Sequence, residues 1–301
     1  MIVYLKHTEI DKDQWDACIA ASPGRKPYAY SWYLDIMSPG WEALVDDDYD
    51  SVFPVPARER YGIKYIATPV FLQQLGAFSP DKAAENAINE YLDYMPEFYR
   101  LVDLCVGQKV NYAGYTVSER VNYELDLSHP YEQLRENFDH ACRRNIEKSF
   151  REKVRMTDDI SPFDLIDLFT RMKEEVAGKI RQRDFSRLKE LMVYCIQTDK
   201  GNISGVRDEN GKIIFGQFII KFAGQVNLLF GVNTPESREK RINYYFINEI
   251  IKESAGKKLT LDFAGSSIPS VGSFMSSFGS VIKPYYRIYK NSLPLPVRWL
   301  K

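Results

Sequence analysis

Arg144, Lys148, Arg151 and Arg155 fall at i, i+4, i+7 and i+11, a spacing that lines four cations along one side of a helix. Such a stripe grips phosphate oxygens, arginine through paired N–H bonds and lysine as a point charge. The ligand would be a transfer RNA, a lipid-linked precursor or a nucleotide donor. A solvated face partnered by Glu147 and Glu152 is the plainer reading of the same residues. Asp262 ends an apolar strand just ahead of Gly265. A carboxylate there can accept a proton from an amine, or can simply cap the loop at Gly265-Ser266. Gln73 and Gln74 interrupt an apolar run. On a strand they would point to opposite faces, so one amide would turn inward and need partners. Substrate recognition and a structural bridge both meet that need. Tyr285 and Tyr286 offer hydroxyls on an aromatic strand, for proton transfer or for packing. Tyr28, Tyr30, Trp32, Tyr33 and Trp41 suit a groove lining or an aromatic core.

These residues need elements to hold them. Ile2–Lys6 reads as an opening strand and Asp11–Ala21 as a helix that turns Trp15, Cys18 and Ile19 inward. Ser31 can cap a short helix. Ala43–Val45, Ser51–Pro56, Lys64–Thr68, Pro69–Ser79, Tyr99–Val106 and Asn122–Leu127 read as strands. Asp81–Met95 reads as a helix. Pro130 fits the first turn of a long helix whose buried stripe is Tyr131, Leu134, Phe138, Cys142, Ile146 and Phe150. Ser161-Pro162-Phe163-Asp164 is a helix start, and Phe185–Ile196 supports another helix. Asn202–Val206 and Lys212–Lys221 form a hairpin across Asp208–Gly211. A strand, Gln225–Val232, then leads to a Thr234-Pro235 helix start, a strand ending at Asp262, a short helix ending at Gly279, and a final aromatic strand. The element order divides the chain into residues 1–128 and 129–301, which should pack closely, as no low-complexity linker parts them.

Composition narrows the function. A chain of 301 residues can bury a large core without staples. With 40 basic and 41 acidic residues the net charge is -1, so a nucleic-acid partner must be met by a local patch. Cys18, Cys105, Cys142 and Cys195 are widely spaced in apolar patterns and read as buried thiols. Together with three scattered histidines they predict no metal site. The N-terminus lacks the pattern of a signal peptide, and no apolar run is long enough to span a bilayer, so a cytoplasmic protein is expected.

Four motifs together resemble the GNAT superfamily of N-acyltransferases, and more closely its FemABX-like branch. Arg143-Arg-Asn-Ile-Glu-Lys148 is similar to that branch's Arg-Asn-Ile-x-Lys signature. Leu228–Val232 followed by the helix from Pro235 resembles the superfamily's donor-binding strand and helix. Leu261-Asp-Phe-Ala-Gly-Ser266 resembles the branch's Asp-Phe-x-Gly-Ser strand end, and Phe274–Gly279 its Phe-x-x-x-Phe-Gly helix end. The likeness covers about residues 130–290.

The resemblance implies an α/β fold of two tandem GNAT-like domains, each a mixed, mostly antiparallel sheet flanked by helices. It implies acyl or aminoacyl transfer to an amine, without a covalent enzyme intermediate. The donor would be acyl-CoA or an aminoacyl-tRNA, with no tightly bound cofactor. The acceptor would be a small molecule or a cell-wall precursor, and transfer RNA is a candidate partner. Gly231 and Val232 would hold the donor on a splayed strand edge, and Arg144 and Lys148 its phosphates. Asp262 or Tyr285 would handle protons, and Gln73, Gln74 and Ser266 would recognise the acceptor. Two departures stand out. The loop before the donor helix lacks the usual glycines and carries Pro235 and Glu236, which oppose phosphate there. The superfamily's tyrosine on the last short helix is replaced by Phe274-Met275. A scaffold that only binds a ligand or protein is therefore the rival expectation.

Overall fold

The computed structural model describes residues 1–46, 48–81, 88–152, 154–172, 178–265 and 268–294. The chain opens with β1 (Ile2–Leu5), α1 (Lys12–Ala21), α2 (Ser31–Met37), β2 (Glu42–Asp46), β3 (Ser51–Val55), β4 (Ala57–Arg60), β5 (Ile63–Ala67), α3 (Ile88–Asp93), β6 (Leu101–Val106) and β7 (Thr116–Asp126). Next come α4 (Tyr131–Glu136), α5 (His140–Ser149), β8 (Arg155–Thr157), α6 (Pro162–Met172), α7 (Gln182–Gln197), β9 (Gly201–Arg207), β10 (Ile213–Phe222) and β11 (Gln225–Asn233). The last elements are α8 (Pro235–Glu239), α9 (Ile242–Ser254), β12 (Thr260–Asp262), α10 (Pro269–Ser276) and β13 (Val281–Asn291).

The architecture is mixed α/β, as expected. Contacts group Met1–Arg120 with Pro284–Lys301 in one unit and Val121–Lys283 in the other. The expected division at 128/129 left the last strand with the second half. Backbone pairing decides otherwise, because β13 runs antiparallel to β6, from Tyr286 against Val106 to Asn291 against Leu101.

In the first unit β1, β2 and β3 form an antiparallel sheet. A second set runs β4, β5, β6, β13, with only β5 and β6 parallel. Helix α1 starts where Asp11 accepts from the N–H groups of Asp13 and Gln14, each at 3.1 Å. Its Trp15, Cys18 and Ile19 are buried. The aromatic group is core: Tyr28, Tyr33 and Trp41 are fully buried, and the Trp15 and Trp41 rings lie 4.7 Å apart. Ser31 does not cap α2. Its N–H and hydroxyl both go to Asp16, at 2.7 Å.

The sequence reading leaves out one strand, and one segment needs correction. Ala57–Arg60 is a strand, forming a hairpin with β5 through Tyr61 and Gly62, both at positive φ. The expected helix at Asp81–Met95 is described only as Ile88–Asp93, since residues 82–87 lie outside the described residues. Pro69–Ser79 is not a strand. Phe71 sits at φ 64°, and the segment makes only two isolated bridges, Leu75 to Val106 and Phe78 to Val52.

Buried Glu42 ties this unit together. Its carboxylate accepts from the hydroxyls of Tyr4 and Tyr99 and lies 3.2 Å from the Lys64 ammonium.

In the second unit the strands run β7, β12, β11, β10, β9, β8, and only β11 and β12 are parallel. Over one face lie α4, α5, α9 and α10, which share a core of Phe138, Cys142, Ile146, Phe246, Ile250 and Phe278 with the strands. Helix α6 begins with a reciprocal pair: the Ser161 hydroxyl donates to the Asp164 carboxylate at 2.7 Å and accepts from its N–H at 3.1 Å. The expected single helix from Pro130 to Phe150 is two helices. Asp139 breaks it, capping α5 by accepting from the Cys142 N–H at 2.5 Å. Leu134, Phe138, Cys142 and Ile146 keep the buried stripe, whereas Phe150 is exposed. Among the described residues no helix is long and apolar enough to cross a membrane, and no cluster could hold a metal ion.

Burial shapes the response of the first unit to alkali. Desolvation raises the pKa of Tyr4, Tyr91 and Tyr99 and pushes that of Tyr115 up to about 12. Unfolded tyrosines ionise near pH ~10. The folded chain therefore keeps protons that the unfolded chain releases. Stability from these groups is whole below about pH 10 and falls as pH rises above it. Urea midpoints should drop between about pH 9 and about pH 11, and replacing Tyr115 with Phe should flatten that drop.

Candidate functional site

The second unit contains a fork in its sheet. β11 and β12 pair at only three positions: Gln225 with Thr260, Val226 with Leu261, and Asn227 with Asp262. There β12 ends, while β11 runs on to Asn233. On its other side β11 stays paired with β10: Phe230 with Phe218, Gly231 with Gln217, Val232 with Gly216. Main-chain groups of a strand point alternately to either side. From Leu228 onward, β11 therefore turns an edge of N–H and C=O groups toward a gap that no strand fills among the described residues.

A bulge sits in the same stretch. The register steps from Phe218/Phe230 to Ile219/Leu228 and leaves Leu229 unpaired. One extra residue reverses the alternation of faces. Val226 packs into the core with α9, whereas Phe230 turns to α6, where its ring lies 4.6 Å from that of Phe169. The only sequence trace of the bulge is the doublet Leu228-Leu229, and sequence reasoning missed it. Gly231 follows. A Cβ there would lie 2.1 Å from Oε1 of Gln217 and 3.0 Å from the Gly216 carbonyl, so the glycine makes room for the Gln217 amide.

Asp262 stands at the vertex of the fork, fully buried. The register sets Asn227, Asp262 and Glu124 side by side on one face. Oδ1 of Asp262 accepts from Nδ2 of Asn122 at 3.1 Å and from the N–H of Ala264 at 2.8 Å. Ala264 and Gly265 both have positive φ, so the carboxylate caps a tight turn. Ser266 lies outside the described residues.

The start of α8 is poorly suited to phosphate. Thr234 caps it, accepting from the Ser237 N–H at 3.1 Å and donating to the Ile214 carbonyl at 2.8 Å. Pro235 has no N–H, and the helix is five residues long, ending before Arg241 at φ 60°. Glu236 sits 2.9 Å from the Lys240 ammonium and 3.5 Å from that of Lys212. These cations, Lys240 first, hold its carboxyl below the usual range.

The basic stripe is shorter than its spacing predicts. Arg144 and Lys148 are exposed on α5, opposite buried Cys142, Ile146 and Ser149. Helix α5 stops at Ser149, whose hydroxyl donates to the Ile146 carbonyl at 2.7 Å. Arg151 falls in the following turn and Arg155 on β8, opposite Arg207. Among the described residues no carboxylate pairs with Arg144 or Lys148, and Glu147 lies 3.7 Å from Arg135 instead. Helix α5 packs on α9, with Phe150 and Tyr245 rings 5.6 Å apart.

The structure thus joins Asp262, Gly231 and Val232 in one fork and sets Arg144 and Lys148 in the same unit. Gln73, Gln74 and Tyr285 belong to the first unit. Tyr285 is half-buried on β13. The glutamines do not point to opposite faces. Nε2 of buried Gln74 donates to Oε1 of Gln73 at 2.9 Å, which an irregular backbone permits and a strand would not. Phe274 and Phe278 are packing residues, their rings 5.3 Å apart. A hydroxyl does reach the last short helix, but from β7: a Cβ on Gly272 would lie 2.5 Å from Oη of Tyr123. Nothing in the sequence marks Tyr123.

No protein-family model and no curated protein matches this sequence. Solved structures do match in shape. A FemX crystal structure aligns over 97% of this chain and 98% of its own, with a TM-score of 0.68 and 13% identity. L-PGS from Bacillus licheniformis aligns over 95% and 94%, at 0.53 and 14%. The C-terminal domain of a putative lysylphosphatidylglycerol synthetase from Agrobacterium fabrum aligns over 96% and 94%, at 0.53 and 8%. The chain shares its fold with FemX and these synthetases.

The crowding at Gly231 can be measured. Gly231→Ala should destabilise the protein by about 1–3 kcal/mol in chemical denaturation, the usual range for overpacking. In a Gln217→Ala background most of that cost should vanish. An equal cost in both backgrounds would place the clash on the backbone instead.

Proposed function

We propose that the chain transfers an acyl or aminoacyl group to an amine at the fork between β11 and β12. The parting of these strands after Asn227 and Asp262 is the observation that carries this reading. An unfilled strand edge can pair with an extended donor arm, and its N–H groups can meet the donor carbonyl. As the amine nitrogen attacks, the carbonyl oxygen gains charge, and fixed N–H dipoles stabilise it. The new C–N bond forms, the bond to the donor's sulfur or oxygen breaks, and the amine proton passes to the leaving group. Holding both reactants supplies most of the acceleration, and no covalent enzyme intermediate is needed.

Arg144 and Lys148 supply the phosphate contacts. Their charges are unspent on α5, whereas the start of α8 is closed by Thr234, Pro235 and Glu236. Asp262 orients the amine or takes its proton at the vertex, and the Tyr123 hydroxyl, which reaches α10 at Gly272, is a candidate for the role of the missing tyrosine. Gln73 and Gln74 remain candidates for acceptor recognition, and Tyr285 for proton handling. Both acyl-CoA and aminoacyl-tRNA are candidate donors, and a small amine or cell-wall precursor is the candidate acceptor. The capping bonds of Asp262 favour one rival, a scaffold that binds without transfer.

Thermal denaturation with separate pools of acyl-CoA and charged tRNA separates these readings. The true donor at a hundredfold excess over its Kd should stabilise by about 2.7 kcal/mol. No shift from either pool would end the transfer reading. If the tRNA pool acts, exchanging Arg144 and Lys148 for Glu should weaken binding and lower the salt slope by about 1 per residue. With a donor in hand, Asp262→Asn keeps the capping geometry but removes the charge. Transfer should then fall by about 10²–10⁴-fold at unchanged melting temperature, and an unchanged rate would remove Asp262 from the chemistry.

A further inference from the structure

The first unit has a cavity of its own, of about 550 Å³, lined by Glu59, Ile63, Lys64, Phe98, Arg100 and Leu293 among others. That volume suits a small ligand. Glu59 on β4 is the register partner of Lys64 on β5. Arg100 immediately precedes β6, which runs parallel to β5, with Ile66 against Val102. The strand order β4, β5, β6 thus brings Glu59, Lys64 and Arg100 to one cavity.

The middle charge is already used. The Lys64 ammonium turns to buried Glu42 at 3.2 Å and lies 5.3 Å from the centre of the Phe98 ring. Glu59, its natural cross-strand partner, is left over. Among the described residues neither the Glu59 carboxylate nor the Arg100 guanidinium makes a hydrogen bond or ion pair. The cavity therefore presents one open anion on β4 and one open cation at the start of β6, beside an apolar wall of Ile63, Phe98 and Leu293.

We propose that this cavity binds a small zwitterion with an apolar side chain, the chemistry of a free α-amino acid. The ligand carboxylate meets Arg100 in a two-pronged contact, its ammonium meets Glu59, and its side chain covers Phe98 and Ile63. Neither a simple anion nor a simple cation satisfies both open groups. The site is independent of the transfer reading, since none of its residues belongs to the fork.

Titration calorimetry on the full chain tests it, with L-leucine and L-phenylalanine as probes. Leucinamide lacks the carboxylate and N-acetyl-leucine lacks the ammonium. At least one amino acid should bind, and its two single-charge analogues should bind at least about tenfold more weakly, the size of one lost charged contact. Arg100→Gln should weaken the amino acid about tenfold yet leave leucinamide unchanged, and Glu59→Gln should do the same with N-acetyl-leucine. Both residues are exposed, so the variants should keep the parent's melting temperature. Absence of binding by both amino acids, or equal binding of either analogue, overturns the proposal. Either result leaves the donor experiment on the fork unaffected.

Discussion

The hydrogen-bond ladder between β11 and β12 stops after three residue pairs, and the second unit is organised around that stop. A strand edge left open is a liability in most sheets, because its N–H and C=O groups seek partners. Here the opening lies at an internal position of the strand order, between two strands that pair normally further back. The bulge at Leu229 and the absence of a side chain at Gly231 fall in the same few residues. The bulge turns Phe230 toward α6 and thereby anchors the far part of the strand on the opposite helix layer. Beside the gap, β11 is thus packed on both faces of the sheet.

Charge placement follows from this backbone arrangement. Asp262 is buried because its strand ends inside the sheet, and its capping bonds to Asn122 and Ala264 make burial tolerable. Glu236, which the sequence presents as an obstacle to phosphate, is balanced by Lys240 and Lys212. On α5, by contrast, Arg144 and Lys148 are exposed and no carboxylate among the described residues pairs with them. Similar bookkeeping in the first unit gives Lys64 to Glu42 and leaves Glu59 and Arg100 facing a cavity.

Much of the fold was legible because it rests on local rules. Asp11, Ser161 and Thr234 mark helix starts through bonds that span three residues, and all three do so here. The apolar period of two found β9, β10 and β11, and the turn cluster at Asp208–Gly211 joined the right pair. The period of helices found the stripe from Leu134 to Ile146 but ran through a break, since Asp139 reads equally as an exposed helical residue and as a cap. The stripe of four cations failed for the same reason. Spacing assumes an unbroken helix, and α5 ends at Ser149. Pro69–Ser79 looked like a strand by composition, but Phe71 at positive φ bends it away from any ladder.

By itself the sequence determined most element types, the burial of Cys18, Cys142 and Cys195 (Cys105 is only half-buried), the order of motifs along residues 130–290 and the strand end at Asp262. These depend on neighbours within a turn or a strand, where side-chain chemistry acts directly on its own backbone. Only the tertiary structure decided where β12 leaves β11, where the bulge falls, that β13 pairs with β6, and which lysine meets which carboxylate. Each of those outcomes sets main-chain or charged groups distant in sequence against one another. Backbone N–H and C=O groups are the same in nearly every residue, so the letters cannot say which of them will be left without a partner.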